Sequence, residues 1–182
     1  MRTRQLPTST PVSAGALVGA VWWAVGSLAL PTGVGTLLLA AGLLLAGVLV
    51  TSARRRAPRD EPVVPSVRTK AVRLLGFGAL LVAAAVTGLN ASGYRELAVP
   101  AAVMLTGGCL VPLAGLVEQR GYLLLGAALM VLGAGGALLA LRYGGGRFPG
   151  GLVGLGAGLL TWCGAAVDAR LHRAPLSRIG IR

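Results

Sequence analysis

The chain has 182 residues, of which 55% are hydrophobic, 12% charged and 29 glycine, and its mean hydropathy is +0.78. A water-soluble globular domain carries about 25% charged residues, so this composition excludes that class and points to lipid as the solvent. The net charge of +12 raises the alternative of a nucleic-acid partner, but the densest run of cations, Arg54 to Arg73, lies in a stretch from Trp23 to Phe77 with no aromatic between them to stack on bases.

The charges mark out the spans. None falls between Arg4 and Arg54, Arg73 and Arg95, Glu96 and Glu118, Arg120 and Arg142, or Arg147 and Asp168. A hydrocarbon core about 30 Å thick takes about 20 apolar residues of helix. Each interval therefore holds one span and the first holds two, divided by a turn at Pro31-Thr32-Gly33. The expected fold class is all-α, a polytopic transmembrane bundle of six helices over about 12–30, 34–52, 74–91, 97–117, 122–141 and 149–167, forming one integral membrane domain over 1–182. Open sheet edges cannot be satisfied in hydrocarbon, and the alternation of a membrane barrel is absent.

Helix one follows Met1-Arg2-Thr3-Arg4, a beginning that resembles a secretory signal, with Ser27-Leu28-Ala29 offering small residues for cleavage. Because the apolar run starts late and continues uncharged to Ser52, a retained helix is expected. Gly15 and Gly19 are four residues apart and form a small-residue stripe, as do Gly42 and Ala46 in helix two. Trp22 and Trp23 fall near mid-helix, whereas membrane tryptophans favour the interfaces.

Residues 53–73 form a basic, proline-containing loop with Pro58, Pro62 and Pro65. Cationic loops resist translocation. With both termini cytoplasmic, the cations of 1–4, 54–73, 120 and the basic tail 169–182 lie inside, and only Arg95, Arg142 and Arg147 of the 17 Lys and Arg lie outside. The expected location is the bacterial inner membrane, with anionic headgroups as the partner of the inner loop and no nucleic acid.

Asn90-Ala91-Ser92, at the outer end of helix three, fits a glycosylation sequon. Pro100 and Pro112 are expected to kink helix four. Together with Trp22, Trp23 and Trp162 they form a candidate aromatic cavity lining, the alternative being bulky side chains packed on glycine stripes. The run Gly108-Cys109-Leu110-Val111-Pro112-Leu113-Ala114, followed by Gly121-Tyr122-Leu123-Leu124-Leu125-Gly126-Ala127, resembles a segment of an uncharacterised family of small bacterial polytopic membrane proteins. In that family a Gly-His-Phe-x-Pro-Leu-Ala stretch precedes a glycine-led helix. Here Cys109 stands at the His position and Leu110 at the Phe position, and the resemblance, which covers roughly the third to fifth helices, brings no established activity.

In helix six Gly150, Gly154 and Gly158 recur every four residues. Their stripe serves either packing within the chain or a homo-oligomer interface. Gly154-Leu155-Gly156 lacks the preceding strand a dinucleotide site needs. A 50-residue offset aligns Val117-Glu118-Gln119-Arg120 with Val167-Asp168-Ala169-Arg170, as a duplicated hairpin would.

Groups able to do chemistry are few. Asp60, Glu61, Glu96, Glu118 and Asp168 all sit in loops or at helix ends, whereas ion pathways place acids within the bilayer. His172 lies alone in the tail, and Cys109 and Cys163 each lie mid-helix. No catalytic, metal or cofactor-binding residue is therefore expected. The leading expectation is a nonenzymatic accessory or scaffold protein. A small exporter of a lipophilic compound comes second, and an intramembrane enzyme using Glu118 or Asp168 on a lipid or isoprenoid third.

Overall fold

A chain in hydrocarbon has to satisfy its backbone polar groups within itself, and the long uncharged segments do so as helices. The computed structural model describes residues 9–56, 65–117, 120–142 and 147–171. It is all-helical: α1 (Ser9–Leu28), α2 (Thr32–Arg56), α3 (Pro65–Ala91), α4 (Arg95–Val117), α5 (Arg120–Arg142) and α6 (Arg147–Leu171). Among the described residues, α2 to α6 are long and apolar enough to cross a membrane, while the apolar stretch of α1, Gly15–Leu28, is shorter.

The helices outrun their apolar cores. α3 starts at Pro65 rather than near 74, and α2 continues past Ser52 to Arg56. Proline is preorganised for the first turn of a helix, and long cationic side chains reach water while their stems cover apolar surface. Charge therefore marks the edge of the hydrocarbon, not the end of the helix. The first turn also shifts. It falls at 29–31, where the Ala29 and Leu30 N–H groups donate back to Gly26 and Ser27 at 3.3 and 3.2 Å, and Thr32 already opens α2. Pro31, which cannot continue α1, instead accepts from the Gly35 N–H at 2.9 Å.

The link from α3 to α4 is a glycine cap. Gly93 has φ +84°. The Tyr94 N–H reaches the Leu89 carbonyl at 2.9 Å and the Gly93 N–H reaches Asn90 at 3.4 Å, the paired bonds of a Schellman motif. Gly93→Ala should lower the unfolding free energy of the purified protein by about 1 kcal/mol, since only the backbone conformation resists the new Cβ. A denaturant titration that superimposes on wild type would refute this.

α4, α5 and α6 pack on one another. α1 rests on α6, α2 on α1, and α3 on α4. Although consecutive, α2 and α3 make no contact among the described residues and occupy separate flanks. The core joins Trp22 of α1 to Ala102 and Val103 of α4, Leu129 of α5, and Val153 and Ala157 of α6. Coverage falls from 44% of the apolar span in α6 to 17% in α2 and 6% in α3. Large apolar side chains such as Leu44, Leu80, Leu124 and Val131 point outward, the surface a bilayer solvates.

Candidate functional site: glycine seams and a tryptophan pair

Without a hydrophobic force between helices in lipid, close association depends on backbone approach and interhelical hydrogen bonds. The α1–α6 seam is built on the first of these. A Cβ placed on Gly154 would stand 2.7 Å from Gly26 Cα, and one on Gly158 would stand 3.0 Å from the Gly19 carbonyl oxygen. At Gly26 it would meet the Leu155 backbone nitrogen and, at 2.8 Å, the Gly151 oxygen. Gly15 faces Ala165, whose Cβ would lie 3.1 Å from one added there.

Two indoles supply the hydrogen bonds. Trp162 lies in the notch left by Gly19, and its Nε1–H donates to the Ala16 carbonyl at 3.1 Å. Trp23 lies in the notch left by Gly42 on α2 and donates to the Leu38 carbonyl at 2.6 Å. A helical carbonyl already receiving its i+4 bond keeps a second lone pair for such a donor. The two rings stand 5.1 Å apart at 32°, within the range of favourable aromatic pairs. The aromatic pair thus joins α1, α2 and α6 into one unit. Ser27 and Thr161, both buried, donate along their own helices to Trp23 O, and to Ala157 O and Gly158 O.

A second seam joins α4 to α5. A Cβ on Gly126 would lie 2.7 Å from the Gly107 oxygen, and one on Gly133 would lie 2.7 Å from the Pro100 oxygen and 2.9 Å from the Met104 nitrogen. Between α3 and α4, Gly78 makes room for Cys109, whose Sγ would be 2.8 Å from an added Cβ.

The expected packing residues separate accordingly. Gly15, Gly19, Gly154 and Gly158 meet in the α1–α6 seam, and Gly42 receives Trp23 while Ala46 is buried. Gly150 turns away from that seam toward Val99 of α4, 3.7 Å from where its Cβ would be, and Gly151 takes the place next to α1. Of the candidate cavity-lining residues, Trp23 and Trp162 fill glycine notches, while Trp22 and Pro100 are buried in the packed interior. Pro112 is exposed and apart from them, and α4 is continuous through both prolines. Cys109 and Cys163 are free thiols, the second exposed on α6. Residues 53–56 and 65–73 of the expected basic loop are helical, in α2 and α3, while Glu118, His172, residues 57–64 and most of the tail lie outside the described residues, as does the side chain of Asp168.

Gly26, Gly107, Gly126 and Gly133 were not singled out from sequence as packing residues. A signal was present for α5, where Gly126, Leu129, Gly133, Gly136 and Ala140 are the buried residues and recur at three- and four-residue steps.

No protein-family model, curated protein or solved structure matches the chain.

Proposed function

We propose that this multi-pass protein is a nonenzymatic accessory or scaffold component of the bacterial inner membrane, acting through its lipid-facing and cytoplasmic surfaces. The observation that supports this reading is the use of its most distinctive side chains. Trp23 and Trp162 lie in glycine notches with both indole N–H groups bonded to neighbouring helices. They are committed to holding α1, α2 and α6 together. The excess of Lys and Arg in the segments on one side supports cytoplasmic termini.

Cys109 tests this reading, because its thiol lies in the α3–α4 seam against Gly78. A thiol reacts as the thiolate and needs water around it. In intact membrane vesicles, a water-soluble maleimide should leave Cys109 unlabelled until the protein is denatured in detergent. Labelling in the native membrane would reveal an aqueous path within the bundle, and the scaffold reading would give way to that of a small exporter.

A further inference from the structure

α3 is the least covered span, and its outward face is ordered from polar to apolar. Lys70 and Arg73 are exposed, and neither pairs with another described residue. Phe77, Leu80, Leu81, Ala84 and Gly88 continue that face at steps of three and four residues, all exposed. Gly78, which packs against Cys109 of α4, lies about 100° round the helix from Phe77, so this face flanks the α3–α4 seam. We infer that this face of α3 is a binding site for an anionic phospholipid, with the phosphate between Lys70 and Arg73 and an acyl chain along Phe77, Leu81 and Ala84.

The depths agree. The apolar part of the helix begins immediately after Arg73, which puts Arg73 at the hydrocarbon boundary and Lys70 about 4.5 Å further out, at the level of headgroups. From Arg73 to Ala84 the helix rises about 16 Å, close to half of a core about 30 Å thick and so to the reach of one leaflet's acyl chains. Charge selects the occupant. A second copy of the chain docked symmetrically on this face would set Lys70 and Arg73 against their own equivalents, whereas a phosphodiester neutralises them. The site holds for either orientation of the bundle, and for a scaffold or an exporter alike.

The test uses the full chain, delipidated in detergent and titrated with phosphatidylglycerol or phosphatidylcholine under native mass spectrometry. Wild type should retain phosphatidylglycerol preferentially, and K70A/R73A should lose that preference by roughly tenfold, while R95A/R142A, at the other end of the bundle, should keep it. Equal retention by K70A/R73A, or equal loss in R95A/R142A, overturns the site in favour of a diffuse charge effect. A second measurement needs no variant. Phosphatidylglycerol carrying a photoreactive acyl chain should crosslink wild type mainly within 77–84. Adducts spread evenly over α2 and α3, or a dimer with α3 protected, would overturn the proposal, and the dimer would assign the face to a second copy.

Discussion

Gly154→Leu should insert into the membrane and then fail to close its bundle. Leucine is well suited to hydrocarbon, so each span still crosses. The seam cannot accommodate it, because even a Cβ at this position would lie 2.7 Å from both Gly26 Cα and Gly26 N. Backbone atoms cannot swing aside as a flexible side chain does. Overpacking a core commonly costs 1–3 kcal/mol, and displacing a whole helix puts this variant at about 3 kcal/mol or more on that scale. Separation of α1 from α6 also parts Trp23 from Trp162, so the near-ultraviolet circular dichroism of the ring pair should collapse along with thermal stability in detergent. The alanine pair sharpens the test. Gly154→Ala should destabilise, while Gly150→Ala, whose Cβ would meet only Val99 at ordinary contact distance, should be neutral or gain the helix propensity of alanine. Matching melting curves for the two would remove the α1–α6 seam as described.

Gly133→Leu is the corresponding lesion between α4 and α5. The Cβ would meet Pro100 O at 2.7 Å and Met104 N at 2.9 Å, and although the Met104 side chain can yield, those main-chain atoms cannot. Since α5 borders both α4 and α6, loss of about 3 kcal/mol is expected, read as a lower midpoint in a detergent denaturation titration. Gly135, two residues along the same helix, has open space where its Cβ would be. Gly135→Leu should therefore unfold at the wild-type midpoint, and a loss as large as that of Gly133→Leu would show that sensitivity follows composition and not the seam.

The six helices were legible because lipid imposes a simple rule: charge stays out of its core, so uncharged intervals delimit the spans. Helix ends were less legible, since Pro65 can start a helix well before the hydrocarbon begins and nothing about Arg54 stops one. The seams were legible in kind more than in detail. Gly154 and Gly158 stood out by spacing, yet Gly150 shares that spacing and faces another helix, while Gly151 lies beside α1. A helix this rich in glycine offers several smooth stripes, and the choice among them is made by the partner, through features such as the indole of Trp162 that needs the notch at Gly19. The two prolines of α4 show the same limit. Pro100 is buried and Pro112 exposed, a difference set by the neighbours of α4 and not by proline chemistry.

The hydrogen bond from Trp162 to Ala16 spans 146 positions of the sequence, and this makes assembly a matter of timing. α1 finds its main partner only when α6 is made. At a synthesis rate of about 5–20 residues per second, α1 waits roughly 7–30 s in the bilayer with its glycine face uncovered. High contact order of this kind slows folding, and a nascent chain in that interval is open to mispairing or to capture by quality-control proteases. Chains interrupted before α6 should therefore be short-lived in the cell even though α1 to α5 are present.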